Sequence, residues 1–215
     1  MSNVKYPRTY HLSISPGRSS DDKIQHDLSG LVGKEVIVTV KMDGENATMT
    51  RERCYARSVD SKHHPSRSWI KSLHSTIKND IPENFRLCGE NMFAKHSIFY
   101  EDLDSYFLLF SVWDGDICLS WDETLWFAKE LGISTVPVVY RCFFDLDLIM
   151  DKFYEFCRGT MQGHEGFVIR LAGSFRLSEF SKSVVKYVRE NHVQTDKHWM
   201  HAKIFVNKLR ESNVS

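Results

Sequence analysis

A chain of 215 residues with 42% hydrophobic and 26% charged side chains can bury one substantial core, and its ordinary globular balance excludes disordered and fibrous classes. The 28 basic and 28 acidic residues cancel, so no net field draws the protein to nucleic acid or to an anionic membrane, and any polyanion site has to be local. Five cysteines, odd in number and without CxxC spacing, predict reduced thiols, and with no apolar leader or membrane-length window the expectation is a cytoplasmic protein, in the host cytoplasm if viral.

Residues 1–33 are rich in Pro, Gly, Ser and Asp and read as a loop-rich N-terminal arm. Its Arg8, His11, Ser13, Ser15 and Arg18 either fold over an anionic ligand or decorate a plain surface arm. Residues 35–40 alternate as a strand and 46–51 alternate again, so KMDGE between them suggests a hairpin or bulged turn, with 55–59 as a third strand. Trp69, Ile70, Leu73 and Ile77 fit one helical face, ended by Pro82. Two strands follow, 85–93 and the apolar run 106–113, the latter closed by Asp114-Gly115. A helix over 122–131 is capped by Ser120 or Asp122 and stopped by Gly132, and residues 136–143 form a strand. Leu146, Ile149, Met150, Phe153, Phe156 and Cys157 space out a helix that Gly159 stops. Strands at 167–171 and 184–188 precede a tail, 196–209, expected to be helical. With no repeat, low-complexity block or linker, the pattern predicts a single α+β domain, antiparallel strands at its centre and four helices outside.

Certain polar residues stand where apolar strands should continue: Lys41 with Asp43, Arg57, Glu90, Glu165, and Lys186 with Arg189. Carboxylates hold a hydrated divalent cation and lysine and arginine neutralise phosphate oxygens, so these groups in one groove suit a nucleoside triphosphate with its metal. A lysine there can also be a nucleophile if its surroundings lower its pKa.

The strings KMDGEN (41–46), YARS (55–58), LCGEN (87–91), YFLLFSVWD (106–114), HEGFVIR (164–170) and VVKYVR (184–189) resemble the collinear motifs of the covalent nucleotidyltransferases, the superfamily of ATP-dependent RNA and DNA ligases and mRNA capping enzymes. Asn46 closing KxDGxN, together with GENMFAKHSI and KYPRTYHL, is more similar to small phage and bacterial members of the RNA ligase family. The resemblance implies a nucleotidyltransferase (ATP-grasp-like ligase) fold, central antiparallel sheets forming a nucleotide cleft with peripheral helices. It implies ATP with Mg²⁺ or Mn²⁺ as cofactors, and joining of RNA 5′-phosphate to 3′-hydroxyl ends, nicked or single-stranded, through lysyl-AMP and RNA-adenylate.

In that reading Lys41 is the nucleophile and Lys186 the catalytic cation on the α-phosphate, which with a metal would also lower the Lys41 pKa. Arg57 would contact ribose or phosphate, Glu90 the ribose hydroxyl or a metal-bound water, and Glu165 the metal. Asp43 and Asn46 would either orient the turn or bind nucleotide, and Gly44 would permit the turn. Phe110 would either stack on adenine or belong to the core. The chain departs from its relatives at Lys186, where a second lysine usually follows one residue on; Arg189 or Lys182 would supply that charge. Val40 stands where related RNA ligases often carry an acid, which leaves adenine over guanine to resemblance alone. No OB or helical domain is expected after the last motif, only the tail 190–215, so end recognition falls to the catalytic domain or to an accessory protein. The alternatives are a DNA ligase, a GTP-dependent capping guanylyltransferase, or a non-catalytic subunit that binds nucleic-acid ends. His192, His198 and His201 match no standard zinc spacing, and His63-His64 with Ser66 and Arg67 form either an RNA-phosphate contact or a solvated loop.

Overall fold

A computed structural model describes residues 4–57, 64–159, 163–190 and 204–211. In chain order the strands and helices are β1 (Tyr10–Leu12), β2 (Ile24–Gln25), β3 (Glu35–Lys41), β4 (Glu45–Met49), β5 (Cys54–Ala56), α1 (Ser68–Ile77), β6 (Phe85–Asn91), β7 (Phe107–Asp114) and β8 (Ile117–Cys118). There follow α2 (Trp121–Glu130), β9 (Ser134–Thr135), β10 (Val138–Phe143), α3 (Leu146–Arg158), β11 (Gly166–Leu171), β12 (Phe175–Arg176), α4 (Phe180–Ser183) and β13 (Val184–Val188).

Two sheets carry the fold. The first runs β10-β3-β11-β13-β1-β2, and the second β12-β8-β7-β6-β4-β5 with β9 alongside β7. β3 and β11 lie inside the first sheet, which is why EVIVTVK and GFVIRL read as continuous β-branched and apolar runs rather than strict alternations. Between the sheets Val36, Val38 and Phe167 pack with Cys88, Trp113 and Cys118 in one buried cluster. Phe167 and Tyr187 stack across β11 and β13 at 4.9 Å. Helix α2 begins in a reciprocal capping box between Ser120 and Glu123, and α3 at Asp145, whose carboxylate accepts the Leu148 N–H at 3.1 Å. No helix of the described residues is long and apolar enough to cross a membrane.

Three expectations change. KMDGE does not join a hairpin: β3 pairs with β10 and β11 in the first sheet, and β4 pairs with β5 and β6 in the second, so the turn carries the chain from one sheet to the other. The arm is indeed loop-rich, but its two short strands pair in parallel, β1 with β13 and β2 with β1. The tail is not helical over 204–211. It runs extended beside the 92–106 loop, bridging Val206 to Ala94 and Leu209 to Leu103. Buried Asn207 holds it there, donating to Met92 O (2.7 Å) and accepting the Tyr100 N–H (3.0 Å). This side chain satisfies loop groups that a helical tail could not reach. The fourth helix is instead the single turn α4. Strand 55–59 is seen as β5 up to Ala56, and residues 58–60, like His63, His192, His198 and His201, lie outside the described residues.

Candidate active site

Lys41 is the last residue of β3, opposite Gly166 of β11, and this register brings the preceding Glu165 to it. The Lys41 ammonium donates to Glu165 Oε2 at 2.5 Å, with the two side chains 24% and 10% exposed. Thr39 pairs with Val168, and Val168 with Lys186 of β13. Because strand side chains alternate, Thr39, Lys41, Val168 and Lys186 share the face that looks into the cleft. Two glycines make this approach possible by leaving out a side chain. A Cβ on Gly166 would lie 1.9 Å from Tyr187 O, and one on Gly44 would lie 2.7 Å from Asn91 O and 2.9 Å from Glu90 Cγ. Gly44 therefore serves a close approach to β6, not a left-handed turn.

The second sheet supplies the facing wall. Asn46 of β4 stands opposite Glu90 of β6, and the Arg57 N–H donates to Asn46 O at 3.0 Å. A cavity of about 530 Å³ lies between the walls, lined by Lys41, Asn46, Arg57, Glu90, Phe110 and Lys186. Six of the residues singled out in the sequence thus meet in one space. A second cavity, about 500 Å³, adjoins it through the shared Asp22 and Lys186 and takes in Glu165. Phe110 is half-buried at the cavity wall and stands edge-on to Tyr6 at 5.2 Å, so it is both a wall residue and a core contact. Asn46 Oδ1 is buried without a hydrogen-bond partner, an acceptor left for whatever enters.

Asp43 and Arg189 line neither cavity. The Asp43 carboxylate accepts the N–H groups of Ser97 and Ile98, both at 2.7 Å, and its own N–H donates to Tyr100 Oη at 3.1 Å. It holds the sheet-crossing turn against the loop that Asn207 secures. Arg189 donates from Nε to His164 O at 2.6 Å. His64 caps the 3₁₀ turn Pro65–Arg67, bonded through Nδ1 to Ser66 Oγ at 2.6 Å.

The protein's own charges favour the ammonium form of Lys41. Burial works to lower the Lys41 pKa, but the carboxylates of Glu165, Glu90 and Asp43 outweigh it and hold the ammonium above the usual lysine range. Without a counter-cation the amine is therefore kept protonated. The cost is borne by Glu90, which burial first, then Glu165, Asp43 and Glu45, push up to about 8 against the pull of Lys41. Lys186 is lowered by burial and next by the Lys41 charge. Among the described residues no three His, Cys, Asp or Glu converge as a preformed metal cage. One or two carboxylates beside a phosphate-sized space still fit a magnesium-like ion, which takes few protein ligands and completes its shell with phosphate oxygens and water.

Residues missed in the sequence include Tyr6 and Asp22 from the arm, and Arg170 of β11, all on the cavity wall, where Arg8, one of the arm residues read as able to fold over an anionic ligand, also stands. Arg170 is buried and donates to the carbonyls of Phe110 (3.2 Å), Leu119 (2.6 Å) and Leu171 (3.1 Å), tying the sheets together at the cleft floor. An arginine closing the apolar run GFVIR was the available signal.

A lysine at a strand end, a second lysine and a carboxylate meet in a cleft between two sheets, on a fold shared with solved ligase structures. The same fold appears in an archaeal ATP-dependent RNA ligase (form 1; 14% identity, TM-score 0.56, covering 86% of this chain and 48% of that one). It appears equally in a candidate ATP-dependent DNA ligase of Aquifex aeolicus (18% identity, TM-score 0.55, covering 86% and 50%). The chain belongs to the RNA ligase family, whose model matches residues 34–188. It spans about half the length of these solved structures. No curated protein sequence matches it.

Proposed function

We propose that the protein is an ATP-dependent RNA ligase that works through adenylated Lys41. The observation that carries this reading is Lys41 at the end of β3, 2.5 Å from Glu165, in the cavity that Lys186 also lines. Lys41 Nζ would attack the α-phosphorus of ATP, forming a P–N bond as the bond to pyrophosphate breaks. The proton Lys41 must shed points at Glu165. Lys186 would neutralise the α-phosphate oxygens, first in this step, then as AMP passes to an RNA 5′-phosphate and a 3′-hydroxyl displaces AMP. Arg57 and Asn46 would contact ribose and phosphate, and Phe110 would offer its ring to the base. Mg²⁺ or Mn²⁺ at Glu165, with Glu90 beside it, would supply positive charge to the phosphates and relieve the carboxylate field that keeps Lys41 protonated. RNA as the strand follows from family membership, since the two fold relatives carry RNA and DNA ligase names at similar likeness.

Incubation with α-labelled ATP should place an acid-labile label on the protein, GTP should not, and Lys41→Ala should abolish it. No label from ATP, or label that survives Lys41→Ala, overturns the reading. Nicked RNA and nicked DNA substrates then decide the strand.

A further inference from the structure

The arm before β3 is fastened to both sheets. On the second sheet Tyr55 Oη donates to Val4 O and Arg57 Nε to Tyr6 O, each at 3.2 Å. The Tyr6 ring stands edge-on to Phe110 at 5.2 Å and to Phe180 at 5.5 Å. On the first sheet β1 sets His11 beside Lys186, and Ser15 Oγ accepts the Val188 N–H at 2.9 Å. The residues between these anchors must cross the cleft, and Arg8 and Thr9 line its cavity.

Arg8 differs from the other guanidinium groups there. Arg170 is committed through Nε, Nη1 and Nη2 to three backbone carbonyls, and Arg57 gives its Nε to Tyr6 O. Arg8 is held by its Nη2 alone, to Asp21 O at 2.9 Å and Asp22 Oδ1 at 3.2 Å, and its side chain stays 45% exposed. Asp22 is itself fixed by the Ser19 N–H and hydroxyl, both at 3.0 Å. The guanidinium is thus oriented through Nη2, while Nε and Nη1 make no hydrogen bond to the described residues, and its charge is felt at Lys186. Neither Arg189 nor Lys182 lines the cavity.

We propose that Arg8 is the second phosphate-binding cation of the site, filling from the N-terminal arm the place that Arg189 and Lys182 leave, and that it holds a phosphate group next to the one at Lys186. Asp22 is its positioning residue. This rests on the nucleotidyltransferase reading above. The phosphate belongs either to the triphosphate beyond its α position or to the 5′ end of the strand, and guanidinium geometry suits both.

Calorimetric titration in magnesium buffer tests this without catalysis. The ligands are AMP, an ATP analogue with a methylene between the α- and β-phosphorus, and one oligoribonucleotide with either a 5′-phosphate or a 5′-hydroxyl. Arg8→Gln is expected to weaken, by about tenfold, either the ATP analogue but not AMP, or the 5′-phosphate strand but not its 5′-hydroxyl form, the loss of one charge-assisted contact. Arg8→Lys should recover part of the loss, and Lys5→Ala should match wild type. Arg8→Gln binding all ligands as wild type does, weakening all of them alike, or a wild type indifferent to the added phosphate would overturn the proposal. Melting curves of each variant separate this from misfolding. Phosphate-dependent binding without a label on Lys41 would remove the ligase reading and leave the subsite standing.

Discussion

Replacing Glu165 by Gln should make Lys41 more reactive as an amine and less competent with ATP. Gln keeps the shape and an acceptor oxygen but removes the charge 2.5 Å from the ammonium. Both side chains are largely shielded from water, so the lost charge-assisted hydrogen bond is worth about 1.5–3 kcal/mol. Glu90 and Asp43 remain to hold the proton, which favours the lower end. At fixed pH below the Lys41 pKa, that energy corresponds to about tenfold more free amine. A short pulse of a water-soluble succinimidyl ester, followed by peptide mass spectrometry, reads this as faster acylation of Lys41 relative to exposed Lys129. Adenylation from ATP should fall at least about tenfold in the same variant, because the carboxylate proposed to hold the metal is gone. Opposite changes in the two assays are the signature. If Lys41 acylates no faster in Glu165→Gln, the carboxylate is not what holds its proton and the electrostatic account fails.

Gly166→Ala should cost about 3 kcal/mol or more in urea unfolding, since its Cβ would meet Tyr187 O at 1.9 Å and only movement of β11 from β13 relieves it; a wild-type midpoint would refute that packing. Ser15→Ala removes the acceptor of the Val188 N–H inside a fully buried site and should cost about 1–3 kcal/mol, with unchanged stability counting against the arm as an anchored element. Glu90 has a raised folded-state pKa, so from 4.5 to about 8 the folded protein keeps a proton that the unfolded chain has lost. Stability conferred by the protonated carboxyl is complete below 4.5 and lost as pH rises to about 8. Glu90→Gln, which cannot lose that proton, should match wild type in urea midpoint below 4.5, exceed it increasingly as pH rises from there to about 8, and gain nothing further above that; parallel pH curves for the two proteins would refute this.

Local pattern was enough to place most elements and to pick out charged groups that meet at the cleft. Strands β3, β6, β7, β11 and β13 and helices α1, α2 and α3 follow from periodicity, capping and stop residues, because those signals act over a few neighbouring residues. Lys41, Glu90, Glu165 and Lys186 were legible because each is a charged residue within or directly beside an apolar strand run. Which strands lie together was not legible. The KMDGE turn looks the same locally whether it closes a hairpin or crosses between sheets, and the pairing of β3 with β11 and of β4 with β6 decides it. The arm's place beside β13, the extended course of 204–211, and the turn of Arg189 away from the cavity likewise depend on partners far along the chain. The protonation of Lys41 belongs to the same class. Its pKa is set by carboxylates from two connecting segments and one strand, the farthest 124 residues away, and only tertiary structure brings Glu165 within 2.5 Å.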